Sequence, residues 1–195
     1  MGIWQRLERH EESNGATPIG VVGAGYVGTG AIHAIAQSPG MTPSVIANRN
    51  TDRAVAALTM LGIDEEAIVV SDSVDDLTAA IRAGVPAVTS DASLIAELPV
   101  EVVVEATGAL NFGTETILAV LDAGKHVVSF NAECDALLGW LFHERARSNG
   151  VIYTIADGDQ PGVLFRLQQE VERMGFEVTA SLNCKRHLNL SLIHI

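Results

Sequence analysis

Between an apolar run at residues 19–22 and a helical apolar pattern at 26–37 stands Gly23-Ala24-Gly25-Tyr26-Val27-Gly28. Three glycines at this spacing, with a strand before them and a helix after, leave few folds open. The first permits a tight turn, the second lets a ligand approach the backbone, and the third lets helix and strand pack closely. The flanking chain repeats the same alternation. Residues 45–47 and 67–70 read as buried strands. The first leads into a helix through Ala54, Val55, Leu58 and Leu61, capped by Asn50 or Thr51 and ended by Gly62. The second leads into a helix through Leu77 and Ile81, capped by Ser71 or Ser73 and stopping near Gly84.

The remainder continues the pattern. Residues 86–89 form a short strand, 92–98 a small helix, and Val102-Val103-Val104 a β-branched strand of the kind buried on both faces. Thr107-Gly108 closes that strand, and a helix over 114–123, a strand over 127–129, a helix over 133–148 and a strand over 151–155 follow. Strands alternating with helices over short connections require right-handed crossovers, so the expected architecture is α/β, a doubly wound, mostly parallel Rossmann sheet. A further helix over 162–174 and the alternating Phe176, Val178, Ala180 and Leu182 of a strand over 176–183 predict the start of a second, substrate-binding sheet. Ile3, Trp4 and Leu7 lie on one side of an amphipathic helix expected to pack on the domain. The expected division is 1–16 (helix and turn), 17–158 (dinucleotide-binding domain) and 159–195 (the start of a substrate domain).

Composition narrows the partners. With 48% hydrophobic and 18% charged residues the chain is globular, and a formal net charge of -12 repels phosphate backbones and anionic lipid. A small-molecule substrate is expected, nucleic acid and membranes are not, and a homo-oligomer stays open. No apolar run approaches the roughly 20 residues of a spanning helix, and the opening residues lack the apolar stretch of a secretory signal, so a cytoplasmic location is expected. Cys134 and Cys184 form no CxxC pair, and the six histidines form no HxxxH or HxH pair, so neither a disulfide framework nor a metal site is expected.

The glycine turn places the free amides of a helix N-terminus where the diphosphate of a dinucleotide can rest, making Gly23, Gly25, Tyr26, Val27 and Gly28 the candidate cofactor contacts. An NAD-selective site puts Asp or Glu at the end of the second strand to accept from the ribose hydroxyls. This chain has Asn48-Arg49-Asn50 there, so NADP is the expected cofactor, with NAD as the alternative: Asn48 is uncharged, and Arg49, with Arg53, offers a guanidinium to a 2'-phosphate. The plainer reading leaves Arg49 solvated and Asn50 a helix cap. Thr107 and Gly108 form a small turn that can approach the nicotinamide ribose, and Asn131, after the 127–129 strand, can orient the carboxamide or the substrate.

GAGYVGTG, EATG, AGKHVVSFNAE and DGDQPG together resemble the homoserine dehydrogenase-like oxidoreductases, in particular the branch carrying a C-terminal SAF domain, over nearly the whole chain. The resemblance implies a Rossmann domain, a substrate domain and a SAF module, so that this chain would lack much of its carboxyl half, and the closing Ser-Leu-Ile-His-Ile does not look like its native continuation. Homoserine dehydrogenases proper carry a lysine in the segment after the strand that matches 127–129, where this sequence has Glu133, which removes support for homoserine as substrate. The Asn183-Cys184-Lys185 segment resembles a lysine-bearing element of the SAF branch, implying that Lys185 could polarise a carbonyl or assist proton transfer. Glu133 is a candidate acid, base or hydroxyl-orienting group, or simply a first-turn helix acid. Asp157 follows the 151–155 strand and is a third candidate. The expected activity is hydride transfer between NADP(H) and a small polar hydroxy or carbonyl compound. Two alternatives remain: a non-catalytic NADP(H)-binding sensor, and an aldehyde dehydrogenase using Cys134, its pKa lowered at a helix start, as the nucleophile.

Overall fold

The computed structural model describes residues 2–158 and 162–181. The chain divides into two compact units, Met1–Ile155 and Ala156–Ile195. The first holds seven strands: β1 (Thr17–Val22), β2 (Met41–Ala47), β3 (Val69–Val70), β4 (Ala87–Thr89), β5 (Val102–Glu105), β6 (His126–Ser129) and β7 (Tyr153–Ile155). They form one sheet in the order β3-β4-β2-β1-β5-β6-β7, and every pairing is parallel. The chain runs outward from β1 in one direction through β2 and in the other through β5. The β1/β5 junction is thus the switch point of a Rossmann-like fold, where a crevice opens at the strand carboxyl ends.

Six helices accompany the sheet: α1 (Ile3–Asn14), α2 (Tyr26–Gln37), α3 (Thr51–Thr59), α4 (Val74–Arg82), α5 (Leu110–Asp122) and α6 (Ala132–Ser148). Two apolar clusters, one per face, hold the layers together. Ile19, Val21, Ile46, Val88 and Val104 pack with Ile32, Ile35, Ala54 and Leu58 of α2 and α3. Val22, Val45, Val103 and Val127 pack with Leu77, Ile117, Leu121 and Phe142 of α4, α5 and α6. Alternate residues of one strand therefore serve opposite clusters, as a sheet covered on both faces demands. The first helix touches this unit only through its later turns: Ile3 and Trp4 of the expected apolar side are exposed, and Leu7 alone is half-buried. Its Glu11 carboxylate accepts the Gly40 amide at 3.0 Å, and Gly40, at φ +73°, would bring a Cβ to 2.8 Å from the Leu7 carbonyl oxygen.

Several boundaries differ from the sequence expectation. The strand expected over 67–70 is only Val69–Val70, since Glu65–Ala67 form a 3₁₀ turn and this edge strand meets β4 at just two residues. The small helix expected over 92–98 is a 3₁₀ turn, Ala92–Ala96. The helix expected from 114 begins at Leu110, because Gly113 lets its first turn settle against Glu105, Asn131 and Cys134. In the second unit α7 (Gly162–Arg173) is present, but the described residues 176–181 of the expected 176–183 strand form no ladder. Their period-2 pattern finds no neighbouring strand among the described residues, and Phe176 is exposed. The second sheet is not borne out there.

Candidate functional site

The loop after β1 is built by three differently constrained glycines. Gly23 has φ +102°, and a Cβ on it would lie 2.9 Å from the Ala106 carbonyl oxygen. Gly28 is buried in α2, where a Cβ would lie 1.9 Å from the Gly23 carbonyl oxygen, so only glycine lets helix and loop approach. Gly25 is different: its φ is -78°, and a Cβ there would meet nothing within 4 Å. Neither conformation nor packing demands glycine at 25, yet the residue lines the cleft at the switch point.

That cleft encloses about 310 Å³ between the ends of β1, β2, β4 and β5. Gly23, Gly25, Asn48, Arg49, Arg53, Ser90, Thr107 and Phe112 are among its walls. Gly25 caps α2 without a side-chain hydrogen bond, and Ala109 does the same for α5. In contrast α3, α4 and α6 are capped by Asn50, Ser73 and Asn131. Of the helix starts that border the cleft, those of α2 and α5 are thus left without a side-chain acceptor, whereas Asn50 caps α3 and Asp91 caps the Ala92–Ala96 3₁₀ turn, so the first amides of α2 and α5 are available to an anion. Tyr26 is almost fully exposed and Val27 about half exposed at the start of α2, where any contact they make with a diphosphate falls to their backbone amides.

Asn48 has its amide group engaged by the protein. Oδ1 accepts the Ala24 amide at 2.9 Å and Nδ2 donates to the Asn50 carbonyl at 2.7 Å, so it ties the glycine loop to the end of β2. Arg49 and Arg53 are exposed on the cleft wall with no acidic partner among the described residues. Asp72 holds the end of the neighbouring strand, β4. It accepts the Thr89 hydroxyl at 2.6 Å, the Ser90 amide at 2.8 Å and the Ser90 hydroxyl at 2.7 Å. These bonds, the Thr89 hydroxyl foremost, pull its pKa down to about 2.

Thr107 borders the cleft, and Gly108 beside it is exposed at φ +64°. Asn131 is fully buried, its Oδ1 accepting the Cys134 amide at 3.2 Å and its Nδ2 donating to the Ala109 carbonyl at 3.4 Å. Glu133 is exposed in the first turn of α6. The expectation of a lowered Cys134 pKa is reversed. Its thiol is buried and donates to the Leu110 carbonyl at 3.2 Å, and burial pushes the pKa up, whereas a nucleophilic cysteine needs exposure and a stabilised thiolate. In the second unit the exposed Asp157 accepts two bonds from Arg166 at 2.6 and 2.7 Å, which hold its carboxyl below the usual range. Lys185 lies outside the described residues. No group of three or more acidic, histidine or cysteine side chains among the described residues is arranged to hold a metal.

Sequence reasoning passed over Glu105, Ser129, Asp72 and Ser90. The signal for Glu105 was present: an acid ending an all-valine strand, immediately before a Thr-Gly turn, is a polar side chain where only buried ones are expected.

An all-parallel, doubly wound sheet whose switch-point cleft is floored by a glycine turn and two uncapped helix starts defines a Rossmann-type nucleotide-binding domain. Residues 23–155 match the family described as homoserine dehydrogenase, NAD binding domain, and the chain belongs to that family. Among solved structures it is similar to a homoserine dehydrogenase from Thiobacillus denitrificans, with TM-score 0.54, 21% identity, and coverage of 81% of this chain and 34% of that one. It is likewise similar to the apo scyllo-inositol dehydrogenase from Lactobacillus casei, with TM-score 0.55, 16% identity, and coverage of 82% and 42%. The WlbA dehydrogenase from Bordetella pertussis, solved with NADH and UDP-GlcNAcA, matches with TM-score 0.52, 20% identity, and coverage of 82% and 42%. At these identities the likeness carries the fold alone, and the chain spans well under half of each protein's length. A comparison with curated proteins found no match. No helix among the described residues is long and apolar enough to cross a membrane.

Proposed function

We propose that this chain supplies the cofactor-holding half of an oxidoreductase that moves hydride between NADP(H) and a small polar hydroxy or carbonyl compound. The observation that carries the reading is Gly25. A glycine that the backbone conformation does not need, and that no neighbour crowds, is explained by a ligand lying against its backbone beside the unpartnered first amides of α2. Gly23, Gly25, Tyr26, Val27 and Gly28 would hold the diphosphate, and Thr107, Gly108 and Asn131 would border the nicotinamide half, the buried Asn131 having to give up its Ala109 and Cys134 partners to touch it. When bound, the nicotinamide supplies or accepts the hydride, while the protein orients it and shields it from water.

The preference for NADP over NAD rests on the end of β2. The Asn48 amide is taken up by Ala24 and Asn50, no carboxylate stands there to receive ribose hydroxyls, and Arg49 and Arg53 face the cleft without acidic partners among the described residues. Glu133, Asp157 and Lys185 remain the candidates for substrate chemistry, in a cytoplasmic enzyme whose substrate domain and SAF module the resemblance implies. Asp157 would have to exchange Arg166 for substrate, and the buried Cys134 does not favour a thioester route. Calorimetric titration of the chain with NADPH and NADH tests the proposal. The expected result is binding of both with NADPH tighter by about tenfold or more, the worth of a charge-assisted hydrogen bond to the 2'-phosphate. Equal or NADH-favoured affinity contradicts the NADP preference, and binding of neither contradicts the function.

A further inference from the structure

Glu105 ends β5 with its side chain fully buried, and no cation pairs with it among the described residues. Donors surround it instead. Oε1 accepts the Thr107 amide at 2.9 Å and also the Thr107 hydroxyl, while Oε2 accepts the Ser129 hydroxyl at 3.3 Å. Each hydroxyl is itself an acceptor: Ser129 Oγ receives the Asn131 amide at 3.0 Å, and Thr107 Oγ1 the Ala109 amide at 3.3 Å. The bonds from the turn after β5 and from the turn after β6 thus all run toward one carboxylate. Gly113 of α5 closes over it, since a Cβ there would come within 2.8 Å of Asn131 Nδ2 and 3.2 Å of Glu105 Oε1.

Burying a carboxylate is unfavourable unless its lone pairs are satisfied, and a valine would continue this strand without that cost. What a valine could not do is hold the backbone of residues 107–109 in one conformation. Thr107 and Ala109 wall the cleft on the β5 side of β1, while Asn48, Arg49 and Arg53 wall it on the β2 side. In a doubly wound sheet the end of the second strand meets the adenosine ribose, which leaves the β5 side to the nicotinamide half. We propose that Glu105 is a positioning residue for the nicotinamide end: without touching the ligand, it locks the 107–109 turn in the shape that receives the ring. The inference rests on the reading of the cleft as a dinucleotide site.

Glu105→Gln keeps the shape but puts an amide nitrogen where one oxygen accepted, so Thr107 or Ser129 loses its acceptor. The test is calorimetric titration of the 195-residue chain with NADPH and with ADP-ribose 2'-phosphate, which lacks the nicotinamide. NADH and ADP-ribose replace them if that pair binds tighter. The parent should bind the complete dinucleotide more tightly than its ring-less counterpart. Glu105→Gln should lose most of that advantage, up to about tenfold, while ring-less binding changes by less than about twofold. Equal weakening of both ligands would mark a merely structural role and overturn the proposal, as would an unchanged advantage in a folded variant. If circular dichroism shows that Glu105→Gln does not fold, Ser129→Ala removes a single donor and should cut the advantage by about threefold, an unchanged value again overturning the proposal. A parent that binds the ring-less ligand but gains nothing from the nicotinamide contradicts Glu105's role and leaves the dinucleotide reading intact. A parent that binds neither ligand contradicts that reading itself.

Discussion

A Cβ at Gly28 would stand 1.9 Å from a backbone oxygen, whereas one at Gly25 would meet nothing within 4 Å. Gly28→Ala is therefore expected to destabilise the protein by about 2–4 kcal/mol, and Gly25→Ala by less than about 1 kcal/mol, in denaturant titrations followed by circular dichroism. Comparable losses at both positions would mean that the loop needs Gly25 for its own sake. Asp72 makes a second prediction at this scale. Its folded pKa of about 2 lies below the ordinary 3.8, so the stability it contributes is present above about pH 4 and is lost as pH falls toward 2. Asp72→Asn should lower the melting temperature at pH 6, and the gap to the parent should close by pH 2. A gap independent of pH would place the effect elsewhere than in this carboxylate. Of the residues around the cleft, the glycines were legible in the sequence because their spacing is a backbone requirement. Glu105 stood out as an acid in a valine strand, but its role and that of Asp72 were not legible, because their partners, Ser129 and Ser90, lie 24 and 18 residues away and only the sheet brings them together.

The helix starts differ in whether a side chain accepts their first amides. Asn131 caps α6 and is fully buried, so Asn131→Ala should cost about 1–2 kcal/mol by leaving the Cys134 amide without its acceptor. A loss of less than about 0.5 kcal/mol would contradict that assignment. The start of α2 has no comparable side chain, and its amides gain an acceptor only from outside. Elements with a strong internal signature were legible: the 19–22 strand with its glycine turn, the Val102-Val103-Val104 run, and the long helix α6. Misread elements had signals that depend on neighbours. The strand expected over 176–183 rested on alternation alone, which forms no ladder without a partner strand. The early start of α5 depends on Gly113 fitting against residues of β5 and α6, a fit that local propensity cannot register.

At the scale of the molecule, a formal charge of -12 would repel an anionic cofactor, so the cleft must concentrate what positive character the first unit has. Arg49 and Arg53 on one wall and the uncapped amides of α2 on the floor do this locally. A ligand held by the folded chain and not by the unfolded one stabilises it by mass action, so NADPH at a hundredfold its Kd should add about 2.7 kcal/mol to the unfolding free energy. The central claim is that a dinucleotide's diphosphate lies against the backbone at Gly25. The most direct test is Gly25→Val, which adds bulk to a cleft-lining residue whose Cβ would meet no protein atom within 4 Å. Calorimetric titration with NADPH should then show affinity lost by at least about a hundredfold, with the unfolding midpoint of the ligand-free protein nearly unchanged. NADPH affinity equal to the parent's in this variant would contradict the account.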